Sequence, residues 1–479
     1  MEAICIVFLK VANMSSFTRL QKRLSRLGIH TSYTNHVYRF IRAHDGAAAQ
    51  LLLPESLPLE EKAVLQLLDF AAVRLPQHAG KVCGACATPD FHPGSTAPVG
   101  SVVATTANMV IPAAIGTDIN CGMRLITTGM QLQEVLPRQQ ELKQVLKALL
   151  LEDKRDLPVT PQAMRALFDQ GLAEWIQALP ELGLWQHVNK PRMLEELAQI
   201  LDADKIQASS GHAPEAFFAD RAILRPSSLG TVGSGNHFVE LQVVDEIMHR
   251  HWAYAAGIKV GEVVAMVHTG SRDVGFYVGQ RWQDKAKAAW PQGEKYPESG
   301  LFALGGSLAE EYLLAMGVAA RYAWANRIAI TELLRSGFAH VFGAERSRLV
   351  VDVSHNVVLQ EQGMNIHRKG ATPAYLGNLA LIPGSMGDYS YLVAGQGHPD
   401  WLWSCSHGAG RSVRRQVMRH HSAPSAAHLP FECITLKAER LREEAPQAYK
   451  DVQPVIAAQE AAGLIQGVAK FKPWVTFKA

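Results

Sequence analysis

Glu262-Val263-Val264-Ala265-Met266-Val267-His268-Thr269-Gly270-Ser271-Arg272 reads as an apolar strand, Glu262–Val267, closed by a histidine and followed by a turn whose backbone suits an anion. The pattern returns at Val350–Val353, where a strand runs into Ser354-His355-Asn356. Gly233-Ser234-Gly235-Asn236-His237-Phe238-Val239-Glu240 is a glycine-rich loop entering a β-like run, with polar Asn236, His237 and Glu240 where an alternating strand needs only packing residues. Gly116-Thr117-Asp118-Ile119-Asn120-Cys121-Gly122-Met123 sets a carboxylate and a thiol three residues apart in a turn, within reach of one metal ion. One histidine at a strand end is more often a satisfied core residue than a ligand. Three of them, with Asp118 and Cys121, read better as a metal cluster. The donor set alone suits zinc or iron at least as well as manganese, and it could hold two ions.

Working outward, 479 residues with 48% hydrophobic and 19% charged content describe an ordinary globular chain. A net charge of +3 neither requires nor excludes nucleic acid. Six cysteines in a chain this long are no secreted disulfide framework. Cys83-Gly84-Ala85-Cys86 lacks a second pair for structural zinc and reads as two small thiols. The apolar N-terminal run has no basic leader and is expected as a buried strand at Ala3–Leu9, with a second β-like run at Tyr33–Ile41. The long helix near 307–338 carries Glu310, Glu311, Arg321, Arg327 and Glu332, so it is no membrane span. A cytoplasmic protein is expected.

Helical patterns at Leu57–Ala72, 307–338 and near Val452–Gly463 alternate with Gly/Pro/Thr-rich strand-loop segments at 80–130, 229–243 and 263–274. A basic helix is expected over Ser412–His421, and the chain should end in two short strands. The expected fold class is α+β: one large catalytic domain over 76–479 with mixed sheets flanked by helices. A helical insertion spans about 131–206, with Thr160-Pro161 as cap and first turn, and residues 1–75 form an N-terminal segment packed on the core.

Further chemistry lies in three loops. Pro89-Asp90-Phe91-His92-Pro93-Gly94 puts an acid and a histidine in a rigid turn. Pro383-Gly384-Ser385-Met386-Gly387, with Ser390 beyond, can hold a phosphate or a base edge. His407-Gly408-Ala409-Gly410-Arg411 combines a nucleophilic imidazole, backbone open to an anion, and a guanidinium suited to phosphate. Arg368-Lys369 and the run Arg411, Arg414, Arg415, Arg419 offer positive charge near these loops.

In this order, with Arg368-Lys369-Gly370-Ala371-Thr372, Ala448-Tyr449-Lys450-Asp451 and the closing Lys478, these strings resemble the RtcB family of RNA ligases from about residue 80 onward. The resemblance implies a GTP- and manganese-dependent enzyme joining RNA 3′-phosphate or 2′,3′-cyclic phosphate ends to 5′-hydroxyl ends. By that resemblance His407 is the residue that takes GMP, and Asp90 is a catalytic-site aspartate. Asp118, Cys121, His237, His268 and His355 are the implied metal ligands. Implied GMP contacts are Asn236, His237, Phe238, Val239, Glu240, His355, Asn356, Pro383, Gly384, Ser385, Met386, Ser390, Gly408, Ala409, Gly410, Tyr449 and Lys478. Asn120 and Asp273 stand where the family usually has glycine, and Ala479 replaces a final glycine, departures expected to alter the RNA-facing rim. Two other readings are a metal-dependent cyclic phosphodiesterase and a non-catalytic RNA-end binder. The sequence is silent on an activating protein partner and on oligomeric state.

Overall fold

The computed structural model describes residues 19–418 and 431–479. The expected strand at Ala3–Leu9 and the stretch of the basic helix past Met418, with Arg419, lie outside them. Two large sheets dominate an α+β architecture. The first has seven strands in the order Ile29–Thr34, Val37–Arg42, Ala48–Leu52, Val82–His92, Val99–Thr106, Met364–Lys369, Asn356–Glu361. The second runs Arg348–Ser354, Gly122–Gln131, Glu262–Thr269, Phe238–Ile247, Ile465–Lys478, Ser390–Gly395, Leu379–Ile382, with Glu432–Thr435 alongside the last turn of Ile465–Lys478. Its two edge strands lie against one another, so the sheet curls nearly shut. Strands Arg348–Ser354 and Asn356–Glu361 belong to different sheets and are separated only by His355.

Several expectations change in detail. The run at Tyr33–Ile41 is a hairpin, because Asn35 and His36 take positive φ (51° and 64°) and make a tight two-residue turn. The closing segment is one 14-residue strand, not two; a register shift at Pro473–Val475 accommodates Pro473 within it. The expected basic helix appears as Arg415–Met418 among the described residues. A 17-residue helix, Arg272–Ala288, follows the strand Glu262–Thr269, in a stretch mostly left unassigned by the sequence. Its Gly275 and Gly279 admit the loop carrying Asp118: a Cβ on either would stand 2.6 Å from the Thr117 carbonyl oxygen or 2.9 Å from Thr117 Cα. Residues 131–206 are helical, with the Thr160 hydroxyl accepting from Ala163 N as its cap.

The helix Ser307–Phe342 is buried all round through its middle turns, packed between the insertion helices and the second sheet. Burial of Arg327 there demands partners, and it finds several. Nε donates to both carboxylate oxygens of Asp352 (3.0 and 2.9 Å), and one terminal nitrogen donates to the carbonyls of Asn120 (2.8 Å) and Thr269 (3.0 Å). Arg124 Nε adds a 2.8 Å bond to Asp352. Asn326 beside it ties Thr231 to Gly270. One helix therefore holds the ends of three strands and two loops in register. Asp352→Asn should lower stability by about 3–5 kcal/mol, since two buried guanidinium groups lose their counter-charge; a urea midpoint close to wild type would show that Arg327 has another sufficient partner.

Candidate active site

In an antiparallel sheet one strand's start lies beside its neighbour's end, and here that rule gathers the predicted ligands. Cys121 and His237 immediately precede strands, His268 nearly closes one, and His355 immediately follows one. Register puts Met123 opposite His268, Phe238 opposite His268, and Ser354 opposite Gly122. Cys121 Sγ lies 3.3 Å from His237 Nε2 and 3.2 Å from His268 Nε2. His237 Nε2 is 2.9 Å from Asp118 Oδ2, and His268 Nε2 is 3.2 Å from His355 Nε2.

Burial, reinforced by Asp118, pushes the Cys121 thiol up, and burial holds His268 and His355 neutral. Burial opposes ionisation of Asp118, but the neighbouring His237 outweighs it and keeps the carboxyl well below its usual range. His355 Nδ1 is buried without a hydrogen-bond partner. Donor atoms of one thiol, three imidazoles and one carboxylate thus converge with little else to satisfy them, which fits a divalent transition metal.

His407 stands beside this cluster, its ring centroid 4.7 Å from that of His355. Its Nδ1 lies 2.6 Å from Asp90 Oδ2. Asp90 is fully buried; burial opposes its charge, yet the bond to His407 outweighs that and keeps it ionised. A carboxylate can only accept, so Nδ1 carries the proton, and in the neutral ring this leaves the lone pair on Nε2. The Thr88 hydroxyl donates to the other Asp90 oxygen at 2.6 Å. Gly410 (φ 79°) passes so close over Asp90 that a Cβ would sit 2.2 Å from its carbonyl oxygen.

A cleft of about 470 Å³ opens over these groups. Of His407, Asp90, the implied metal ligands and the implied GMP contacts, all but Asp90, His237, Val239 and Ser390 line it. Asp90 lies beneath His407, and His237 lies within the ligand cluster. Val239 packs in the core with both strand neighbours paired. Ser390 is buried behind the wall, joined through Gln242 to Glu240 (2.9 and 2.6 Å). Thr476 also donates to Glu240, whose carboxyl burial pushes up. Lys478 braces the glycine-rich loop through the carbonyls of Gly235 (3.0 Å) and His237 (3.1 Å).

Two expected phosphate-binding cations are otherwise engaged. Arg368 is wholly buried and pairs with Glu361 (2.5 and 3.0 Å), so it is a core residue. The Arg411 guanidinium donates to Glu444 (3.0 Å) and Tyr449 (3.1 Å) and stacks over the Tyr449 ring. Asn120, expected on the rim, is buried; at φ 55° it takes a conformation asparagine tolerates and donates to Ala320 O.

Other residues gain importance only in three dimensions. Lys369 lines the cleft, donates to Ile115 O at 2.9 Å and faces Asp118 electrostatically. His92 also lines it, with Nδ1 2.7 Å from Asp90 O, and burial draws its pKa down to about 4. Buried Lys450 donates to Pro89 O and Phe91 O on either side of Asp90, its pKa drawn down to about 8. Lys369, His92 and Lys450 sit inside motifs already noted; Glu444 had no local signal.

Comparison with known proteins shows the family. A family profile described as "tRNA-splicing ligase RtcB" matches residues 70–479. The chain is 33% identical over 429 residues to a tRNA-splicing ligase RtcB of Thermococcus kodakarensis, covering 80% of this chain and 85% of the relative. It is 31% identical over 439 residues to the protein of that name from Pyrobaculum aerophilum, at the same coverage. With RNA-splicing ligase RtcB homolog 1 of Entamoeba histolytica it shares 31% over 437 residues, covering 82% and 80%.

Metal analysis tests the cluster directly. Cys121→Ala should purify folded but lose about one equivalent or more of bound divalent metal, measured by elemental mass spectrometry; wild-type metal content in that variant would remove Cys121 from the ligand set.

Proposed function

The chain belongs to the RtcB family, and we propose that it is a GTP- and manganese-dependent RNA ligase joining 3′-phosphate or 2′,3′-cyclic phosphate ends to 5′-hydroxyl ends. The observation that carries this reading is the Asp90–His407 pair, 2.6 Å apart, beside the five-ligand cluster in one cleft. A simple hydrolase needs no second histidine poised as a nucleophile.

His407 Nε2 attacks the α-phosphorus of GTP; a P–N bond forms and the bond to pyrophosphate breaks. Asp90 holds the Nδ1 proton throughout and offsets the charge that the ring gains. Asp90 is therefore a positioning residue, and His407 is the catalytic one. The Gly408–Gly410 and Pro383–Ser385 backbones, with Asn236 and Lys478, line the space for the guanylate. An oxygen of the RNA 3′-phosphate then attacks the guanylate phosphorus, breaking the P–N bond and returning His407 to its neutral form. The product is RNA-3′-pp-guanosine. The 5′-hydroxyl attacks the phosphorus nearest the RNA, loses its proton and expels GMP. A cyclic phosphate is first opened by water to a 3′-phosphate.

A divalent cation held by Asp118, Cys121, His237, His268 and His355 would compensate phosphate charge and lower the pKa of an attacking oxygen. No helix among the described residues is long and apolar enough to cross a membrane. The described cysteines are free, in keeping with work in the cytoplasm.

Incubation with manganese and GTP labelled at the α-phosphate should give acid-labile, alkali-stable label on the protein. His407→Ala should abolish it, and Asp90→Asn should slow it by about two to four orders of magnitude. Wild-type protein that opens cyclic phosphates with manganese yet never takes label would be the phosphodiesterase instead.

A further inference from the structure

Residues 19–52 hold six Lys and Arg against one Asp, a charge of +5 in a chain whose total is +3, so the remaining residues sum to −2. This concentration precedes position 70, where the family match begins. Residues 19–26 are helical. Leu20 and Leu24 point inward, at 7% and 1% exposure, and join a core that includes Phe40, Leu67, Phe91 and Val455. The outward face carries Arg19, Lys22, Arg23 and Arg26, all exposed and spaced as neighbours on one helix side. Packing against Phe91 and Val455 fixes this face rigidly to the half of the molecule that holds Asp90.

The face also lies beside the cleft. Arg23 Nε bonds Glu61 Oε2 at 3.0 Å, and Glu61 opens the helix Glu61–Ala71. Glu60, immediately before it, lines the cleft. In that same helix Gln66 clamps Gly94 of the cleft wall through two bonds, 3.0 Å to Gly94 O and 3.2 Å from Gly94 N. Arg19, Lys22 and Arg26 make no ion pair among the described residues, whereas Arg411 in the cleft is engaged by Glu444. The cleft's own cations, Lys369, Arg411, Arg414 and Lys478, lie at the reacting end, and a longer polyanion must find its charge partners beyond them. Beside its rim stands a row of four cations about 10 Å long, long enough to meet successive phosphates of one strand.

We propose that the face formed by Arg19, Lys22, Arg23 and Arg26 is a docking track for the phosphates of the RNA strand that leads to the 3′ end in the cleft. It extends the grip on RNA beyond the family-matched region and favours long substrates over short ones. The proposal rests on the reading of the cleft as an RNA ligase site. Charge complementarity selects the occupant: RNA is the polyanion which that reading supplies.

The test uses the full-length protein with all three of Arg19→Glu, Lys22→Glu and Arg26→Glu, sparing the Arg23–Glu61 pair. A control carries the same charge change at Arg221, Arg250 and Lys472, which are exposed and do not line the cleft. Binding of a thirty-nucleotide RNA and of a four-nucleotide RNA, both ending in 3′-phosphate, is followed across a salt series. The track variant should bind the long RNA about tenfold or more weakly, with the log–log salt slope reduced by about 2, while the short RNA binds as to wild type. The control should resemble wild type on both. Equal long-RNA affinity in the track variant, equal loss in the control, or loss on the short RNA as well overturns the track. The first of these outcomes would point instead to a protein partner for this face. GTP labelling is measured in parallel and should be unchanged in both variants. Absence of label in wild type sinks the ligase reading, while the length dependence reports on the track separately.

Discussion

A single buried ion pair underlies the arrangement. Arg327 and Asp352 are both completely buried, and the guanidinium bonds Asp352, Asn120 and Thr269 together. Those three residues lie three, one and one positions from His355, Cys121 and His268. A charge buried this deeply has few satisfactory geometries, so it specifies position more than it adds stability. The metal-ligand cluster is thus supported by rigid secondary structure and not by its own loops.

Electrostatics divide the site into two functions. Burial keeps Cys121, His268 and His355 neutral, while the carboxyl of Asp118 is held ionised by its neighbours. The Asp90–His407 pair works by orientation, since the buried carboxylate fixes which ring nitrogen carries the proton. His92, bonded to the backbone oxygen of the same aspartate, shows that Asp90 orders two rings at once. Lys450, bonding the carbonyls on both sides of Asp90, stiffens that turn.

His268 and His355 were legible because each sits where an apolar run stops. Val263–Val267 and Val350–Val353 could only be strands, so the polar groups that close them had to gather at a sheet end. What escaped had physical reasons. The helix Arg272–Ala288 carried no signal that was read, and its Gly275 and Gly279 are glycine because the helix must touch Thr117. The closing segment, expected as two strands, stays one across a register shift at Pro473–Val475. Arg368 and Arg411 advertised charge, and a sequence shows the sign of a charge but not the Glu361 or Glu444 that consumes it. Val239 lies between Phe238 and Glu240, which line the cleft, and alternation turns it away, whereas Ser390 stands one layer back and reaches Glu240 only through Gln242.

His355 is the only residue between a strand of one sheet and a strand of the other. Its backbone N–H reaches Cys121 O at 2.9 Å, and its carbonyl receives Gly370 N at 2.7 Å, so the crossing is laced to both sides. A metal ion held there would act as a rivet through the junction of two halves of the molecule. Whatever free energy the ion gains on binding is shared with the alignment of those halves. Loading and shape are then one equilibrium, and any splaying of the sheets must first prise open the ion's own coordination.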